Sequence, residues 1–404
     1  MREITKFLSC GYPAPMTSES PTTTSLNSPG MARWAIFAIF FLHGILVGSW
    51  TPHVPLAKDR LAVGPGVLGL ALLAIAGGAV FAMPLAGALI NRFGSARMVL
   101  FTGLLFGVAF FGPTLAPSLA VFVVSGIFLG AGIGSLDVSM NAHGIAVEKA
   151  LKRPILSGLH GAFSIGAMAG AFAGAALIEH FGPVIQVFIV SGFFLIALLV
   201  SVQFLLPTSV DRGLGGAHFA WPTAATLVLG LLSFLALMVE GSVLDWAAIM
   251  MHERFLLDAG VAALAFGFYQ AGMAASRFGG DWLRLQFGSV NVVVVSALLA
   301  AIGTGVALVA PTSWLTFLAF IVGGVGIGNV APMLFAGGAR LEPDAPGRGI
   351  AAVTSMGYAG FLVGPPLIGF VAQLSNLPIA LGLTVVASLI IAVFAKGVAA
   401  ADSY

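Results

Sequence analysis

Charged side chains are scarce in this 404-residue chain, at 8% of residues, whereas hydrophobic side chains make up 59%. Soluble globular domains carry about 25% charged residues, which help to cover their surface. A water-soluble globule is therefore excluded, and a lipid bilayer is the solvent that fits this composition. The formal net charge of +2 gives no indication of nucleic-acid binding.

Cysteine and the common catalytic signatures are missing as well. Cys10 is the one cysteine, so the chain cannot form an internal disulfide, and nothing indicates a cysteine metal site. We find no Walker loop, no G-x-S-x-G elbow and no H-E-x-x-H helix. The sequence accordingly predicts no enzyme, no cofactor and no ATP-driven pump.

Apolar stretches of about 20 residues, the length that crosses a bilayer as a helix, recur twelve times. In the first half they lie at about 33–57, 66–90, 98–115, 118–146, 155–178 and 184–206. In the second half they lie at about 221–246, 259–283, 290–310, 313–338, 349–373 and 379–398. We predict an all-α membrane protein whose twelve transmembrane helices form two pseudo-symmetric six-helix bundles.

The polar segments divide the chain into five parts. Residues 1–32, rich in Ser, Thr and Pro, are predicted to be a disordered cytoplasmic leader, and Met31 is an alternative start. An N-terminal bundle (33–206), a cytoplasmic linker (207–220), a C-terminal bundle (221–398) and a cytoplasmic tail (399–404) follow.

The distribution of Lys and Arg predicts the orientation. With the N-terminus inside, 14 of the 17 basic residues, Arg277 among them, fall in cytoplasmic segments, and Lys58, Arg60 and Arg254 fall outside. Cytoplasmic loops of membrane proteins carry such an excess of Lys and Arg. Both termini are therefore predicted to be cytoplasmic.

A shift of 194 positions aligns the two halves without a gap. It superimposes Phe93-Gly94-Ser95 on Phe287-Gly288-Ser289, and a glycine-rich stretch at 130–134 on one at 324–328. Gly166 and Gly170 likewise align with Gly360 and Gly364. Two parallel halves with a solute site between them near the membrane midplane are an architecture of secondary transporters.

The loop after the second predicted helix carries a superfamily motif. Gly87-Ala-Leu-Ile-Asn91-Arg92-Phe93-Gly94-Ser-Ala-Arg97 resembles the G-x-L-x-D-R-x-G-R-R/K motif of the major facilitator superfamily, with Asn91 in place of Asp. The resemblance covers the chain after residue 32 and implies the major facilitator fold. It also implies a cytoplasmic gate at Gly87, Asn91, Arg92, Gly94 and Arg97. Positive-inside anchoring alone is the alternative role for the two arginines.

Two further segments resemble the fucose:proton symporter family within that superfamily. Gly132-Ile-Gly134-Ser-Leu-Asp137-Val-Ser-Met-Asn141 is similar to its G-x-G-x-L-E-x-x-x-N segment, whose acid helps to bind sugar and proton. The seventh predicted helix carries Glu240, similar to an acid on the same helix of that family. The set of motifs also resembles a poorly characterised bacterial inner-membrane branch.

Acids inside a bilayer are costly and ask for a functional reason. Burial favours the neutral form of a carboxyl group and a nearby cation favours the charged form, so Asp137 and Glu240 are the predicted proton-coupling residues. A fixed interhelical bond, or an ion pair with Arg153, is the alternative for Asp137. Asp245 is predicted to be solvated near the outer end of its helix, with Trp246 in the interfacial aromatic belt.

Polar and aromatic side chains on other helices are candidates for the solute pocket, which needs hydrogen-bonding groups and ring faces. Ordinary helix packing is the alternative for each of them. The predicted substrate-binding residues are Asn141, His160, His43, Trp50, Asn329, Phe335, Tyr269 and Gln270. A break or hinge is expected at Gly364-Pro365-Pro366, with helix-end packing as an equal alternative.

These features predict a monomeric secondary transporter of a small organic solute in the bacterial inner membrane. Proton-coupled symport by alternating access between the two halves is the favoured mechanism. A proton-driven antiporter that exports drugs or metabolites is the main alternative, because it would use the same acids. A membrane sensor that binds a solute without transporting it is a third possibility.

Overall fold

The structure is a computed structural model, and it describes residues 28–208, 220–342 and 344–402. Most of the predicted leader and linker, and residues 403–404 of the tail, lie outside this range. The helices are α1 (Pro29–Trp50), α2 (His53–Leu61), α3 (Pro65–Phe93), α4 (Ser95–Ala109), α5 (Phe111–Leu115), α6 (Leu119–Leu151), α7 (Leu156–Ser201), α8 (Leu227–Phe255), α9 (Ala259–Phe287), α10 (Ser289–Val309), α11 (Ser313–Ile327), α12 (Val330–Leu341), α13 (Pro346–Leu374) and α14 (Leu377–Phe394). Short 3₁₀ helices follow at Val202–Phe204 and Ala395–Asp402.

These helices form the predicted all-α membrane fold. Ten helical stretches of the described chain are long and apolar enough to cross a membrane. One of them, Leu156–Phe204, has 49 residues and changes direction at Gly182, whose φ is 78°, so it supplies two crossings. α9 is not one of the ten, because it carries charged residues such as Arg277 and Arg284, but its 29 residues are long enough to cross a membrane. With these two additions the described residues supply twelve crossings, six in the N-half (α1–α7) and six in the C-half (α8–α14).

The 194-residue repeat is present in the structure. The bounds of α3 and α9 differ by 194 at both ends. The side chains of Ser118 and Thr312, also 194 apart, each accept a hydrogen bond from a backbone N–H in the first turn of the following helix. The two halves are therefore copies of one helical unit, and equivalent positions can be compared directly.

Glycine allows the closest helix contacts within the N-half. A methyl group added at Gly130 of α6 would overlap the carbonyl oxygen of Ile75 on α3, and one added at Gly170 of α7 would overlap that of Ile45 on α1. Small residues let helix backbones approach in this way inside membranes. Gly130 and Gly170 thus serve helix packing.

We expect Gly130→Ala to lower the free energy of unfolding by about 1–3 kcal/mol, because α3 and α6 must move apart to accept the methyl group. Gly192→Ala is the matched control, since nothing lies within 4 Å of a methyl group added there. The measurement is thermal unfolding of both purified variants in detergent. Equal stability of the two variants would contradict the packing role of Gly130.

Two helices differ from the sequence-based expectation. The predicted span 313–338 is divided into α11 and α12 at Gly328 and Asn329, whereas its counterpart α6 is continuous. The expected break at Gly364-Pro365-Pro366 is absent, because α13 continues through both prolines. Neighbouring helices and local adjustments can satisfy the carbonyl groups that a proline leaves without a partner, so such a helix is tolerated in a membrane.

The two ends of the bundle have different connections. At one end, which we call the short-loop end, two or three residues join the helices, at 62–64, 116–118, 256–258, 310–312 and 375–376. At the opposite end a single glycine, Gly94 or Gly288, joins α3 to α4 and α9 to α10. The sequence predicts that the short-loop end faces outside, and this orientation stays a prediction.

Candidate functional site

Asp137 lies near the middle of α6 and contacts the other half of the molecule. Tyr358 on α13 donates a hydrogen bond from its hydroxyl to Asp137 Oδ2 at 2.9 Å. On the same helix, the Asn141 amide donates to Asp137 Oδ1 at 3.2 Å and to the Asp137 backbone oxygen at 2.9 Å. Spacing by four residues places Asn141 on the same face as Asp137. The carboxylate is therefore held by one partner from each half.

Glu240 on α8 forms an ion pair with Arg277 on α9, with 3.6 Å between Oε1 and Nη2. The side chains are 15% and 10% exposed, respectively, so the pair is well removed from solvent. Arg277 also donates to Ser164 Oγ on α7 of the N-half at 2.7 Å and to the Gly328 backbone oxygen at 3.4 Å. Glu240, which lies in the C-half, is thus linked to the N-half through Arg277.

Arg277 lies inside the bundle, whereas the sequence placed it among the basic residues of the cytoplasmic segments; the side of the membrane that it is nearer stays a prediction. Arg277 lies ten residues before the end of α9, about 15 Å along the helix axis. A helix of this length keeps such a side chain inside the bundle, where Glu240 compensates its charge. Sequence analysis also missed Tyr358, although its position on an apolar helix was a signal for a buried hydroxyl group that needs a partner.

The two acids belong to one electrostatic site. Gly241, next to Glu240, packs against Phe361, which lies one turn from the Tyr358 that binds Asp137. His160 lies one turn before Ser164 on α7, and Tyr269 lies about two turns before Arg277 on α9, so each shares a helix face with a partner in the bond from Arg277 to Ser164. Asp137, Asn141, Glu240, His160 and Tyr269 are therefore brought together as predicted residues, with Arg277, Tyr358 and Ser164 added by the structure.

Two predicted residues lie inside the N-half instead. His43 is 2% exposed and packs its ring against Phe106 and Phe163 at centroid distances of 5.2 and 5.4 Å. Neither of its ring nitrogens has a hydrogen-bond partner among the described residues. Trp50 is also buried and faces Phe122 at 6.2 Å. Their contacts are those of packed aromatic side chains.

Three other predicted substrate-binding residues lie within the C-half. Asn329, at the start of α12, donates from its amide to the Ser276 backbone oxygen at 3.0 Å. Gln270 is buried on α9, and its Oε1 has no partner among the described residues. Phe335 packs, partly buried, against the hydrophobic core. Asn329 thus braces the junction between α9 and the broken helix α11–α12.

The residues beside Glu240 differ from expectation in one respect. Trp246 is fully buried, so its predicted place in an interfacial aromatic belt is wrong. Its ring lies against the backbone of α13, since a methyl group added at Gly369 would contact it at 3.2 Å. Asp245 is half-buried and forms no hydrogen bond or ion pair among those described. Burial of Trp246 follows from close packing of α8 on α13.

The predicted gate residues surround a tight turn. Gly94 has a φ of 84°, which favours glycine, and a methyl group there would lie 2.7 Å from Thr208 Cβ. Gly87 is buried and Asn91 is partly exposed. Arg92 and Arg97 are exposed, and in the described part of the chain neither forms an ion pair with the C-half. Arg92 lies instead over the Phe93 ring at 5.3 Å.

Known sequences resemble this chain over most of its length. Residues 34–221 match the sequence profile of the Major Facilitator Superfamily. An uncharacterized MFS-type transporter of Yersinia pestis is 32% identical over 364 residues, which cover 89% of this chain and 94% of that protein. Membrane protein MosC of Rhizobium meliloti is 29% identical over 357 residues, 87% of this chain and 86% of MosC.

Solved structures share the fold at low sequence identity. The nucleoside transporter NupG gives a TM-score of 0.68 at 14% identity and covers 92% of this chain and 99% of its own. The fucose:proton symporter FucP of E. coli gives 0.63 at 17% identity, with 91% and 98% covered. A bacterial homologue of the lysosomal transporter Spinster, inward-facing and unoccupied, gives 0.68 at 13% identity, with 92% and 97% covered.

Proposed function

Since this chain belongs to the major facilitator superfamily, and so transports a solute across a membrane, we propose that protons drive that transport through Asp137 and Glu240. Each acid, directly or through Arg277, takes part in a hydrogen bond between the two halves. These are the bonds from Tyr358 to Asp137 and from Arg277 to Ser164. This pair of contacts between the halves carries the proposal.

Protonation changes both contacts. A carboxylate accepts hydrogen bonds only, whereas a protonated carboxyl group is also a donor. A proton on Asp137 therefore weakens the bonds from Tyr358 and Asn141, and a proton on Glu240 removes the charge that holds Arg277. Both changes loosen the junction between the halves and bias the equilibrium between their two arrangements.

Symport of a small hydroxylated solute is the direction we favour. Asn141, His160 and Tyr269 supply hydrogen-bonding groups around the two acids, and FucP, whose fold this chain shares, is described as a symporter of fucose and protons. An antiporter that exports drugs or metabolites would use the same acids, so it remains the second candidate. A sensor would bind its solute without flux.

The test is internal pH in proteoliposomes that contain the purified protein and a trapped pH-sensitive dye. Sugars, polyols, nucleosides and efflux drugs are added one at a time. Acidification on addition of a sugar, polyol or nucleoside supports symport. A drug that moves protons in the opposite direction supports antiport, and saturable binding without flux of any solute would contradict transport by this chain.

We expect Glu240→Gln to reduce transport more than Asp245→Asn. Glu240 compensates Arg277 inside the bundle, whereas no partner of Asp245 is described. Initial rates of solute uptake, normalised to folded protein by size-exclusion chromatography, measure the difference. Asp245→Asn is the matched control, because it removes one charge from the same helix five residues away. Equal losses would assign Asp245 a comparable role.

A further inference from the structure

Among the described residues, an ion pair and a histidine–carboxylate contact join the halves at the short-loop end. Lys58 Nζ lies 2.5 Å from Glu253 Oε1, and His252 Nε2 lies 3.1 Å from Asp59 Oδ2. Lys58 and Asp59 lie on α2 of the N-half, and His252 and Glu253 lie in the last turn of α8 of the C-half. We call these four residues the clasp. They are remote from Asp137 and Glu240, and the proposed proton coupling does not use them.

The clasp is reciprocal because of the repeat. Lys58 and His252 occupy equivalent positions 194 apart, and so do Asp59 and Glu253. Each half therefore contributes a basic residue followed by an acid, and each basic residue contacts the acid of the other half. A contact of this kind forms completely only when the two halves approach each other in one relative orientation.

The next residue of each half fixes the segments that carry the clasp. Arg60 donates to the backbone oxygens of Pro113 and Thr114, and Arg254 donates to those of Ala307, Leu308 and Ala310. Arg60 and Arg254 are again 194 positions apart. Each arginine binds its own half, so both sides of the clasp are held on rigid supports.

His252 has acceptors on both sides of its ring. Its Nδ1 lies 2.6 Å from the Leu257 backbone oxygen, and its Nε2 faces the Asp59 carboxylate. A neutral imidazole carries one N–H, so it can donate only one of these two bonds. Both bonds form only when the ring is doubly protonated. Asp59 is the charged group in contact with the ring, and the segments that meet there also carry Lys58 and Arg60 on α2, Glu253 and Arg254 on α8, and Asp258 just before α9.

We propose that the clasp is a pH-dependent closure of the short-loop end, because only the doubly protonated ring of His252 donates to both Leu257 and Asp59. Histidine changes its charge between about pH 5 and 8, the range in which lysine and carboxylates stay charged. Acidification of the side that the short-loop end faces completes the clasp and favours closure. When the ring carries one proton, it is neutral and donates only one of these two bonds, so the pair of Lys58 and Glu253 is the remaining ion pair of the clasp.

The test measures the distance between the halves at this end. Pro117 and Pro311 are exposed, equivalent positions in the loops before α6 and α11. Spin labels on cysteines at these two positions, with Cys10→Ser, report the distance by double electron–electron resonance in nanodiscs between pH 5.5 and 8.5. The measurement is made in a background with Asp137→Asn, Glu240→Gln and Arg277→Gln, so that the proposed coupling acids contribute no titration.

We expect the ratio of short to long distances to rise about two- to fivefold as the pH falls, the effect of a partly exposed ion pair. His252→Gln should remove this step, and His252→Lys should keep the short distance at every pH. Lys58→Gln should lower the short-distance fraction at every pH and retain the step. A pH-dependent change of this ratio that persists in His252→Gln, or no such change with His252 intact, overturns the proposal. Asp137 and Glu240 are tested separately, by the transport experiments.

Discussion

Proteoliposomes that contain the Asp137→Asn variant should lose solute-coupled proton movement while the protein remains folded in the membrane. Asparagine has almost the shape of aspartate, but it has one acceptor oxygen where aspartate has two, so it keeps either the bond from Tyr358 or the side-chain bond from Asn141, and it cannot take up a proton at neutral pH. Internal pH recorded during solute addition measures the loss. We expect no proton movement above that of empty liposomes, together with an unchanged elution profile.

Tyr358→Phe is the matched control for this variant. It removes the 2.9 Å bond to Asp137 and retains the ring, which stacks on Phe361 at a centroid distance of 6.4 Å. We expect this variant to keep its proton coupling with an altered transport rate, because the junction of the halves is weaker while the acid is intact. Unchanged proton movement in Asp137→Asn would remove Asp137 from the mechanism.

Removal of Glu240 alone should destabilise the protein more than removal of Arg277 alone. A buried ion pair that loses one partner typically costs about 3–5 kcal/mol, because the remaining charge is uncompensated. Arginine cannot lose its proton in proteins, so Glu240→Gln leaves a buried cation. In Arg277→Gln the remaining Glu240 can bind a proton and become neutral, which limits the cost.

The double variant Glu240→Gln/Arg277→Gln completes this experiment. It removes both charges, so we expect it to recover most of the stability that Glu240→Gln loses. Unfolding of the three variants in bicelles with increasing detergent denaturant gives their free energies relative to the unaltered protein. A double variant as unstable as Glu240→Gln would show that the ion pair contributes little and that the glutamate acts through other contacts.

The fold was predictable from sequence because its signals are local. Each membrane crossing is one apolar stretch, and the repeat shows in Gly94 and Gly288 without any structure. The bounds of the domains stay predictions, and residues 1–27 and 209–219 lie outside the described chain. The break at Gly328 was missed because a glycine in a small-residue string equally indicates helix packing.

The candidate site was predictable only in part, because its contacts are distant in sequence. Asp137 and Glu240 stood out as acids in apolar helices. Their partners did not stand out. Tyr358 is 221 residues from Asp137, and a tyrosine in a sequence does not indicate which residue its hydroxyl group binds. Arg277 was misplaced because a basic residue near the end of an apolar stretch resembles a positive-inside anchor.

The short connections at the short-loop end limit what another molecule can bind there. No connection at that end, among those described, exceeds three residues, so it offers no long loop as an independent epitope. The accessible surface consists of helix ends from both halves. An antibody fragment or nanobody that contacts helix ends of both halves will bind with an affinity that depends on how far apart they are. Such binders would be conformation-selective reagents, able to trap one state of the transport cycle.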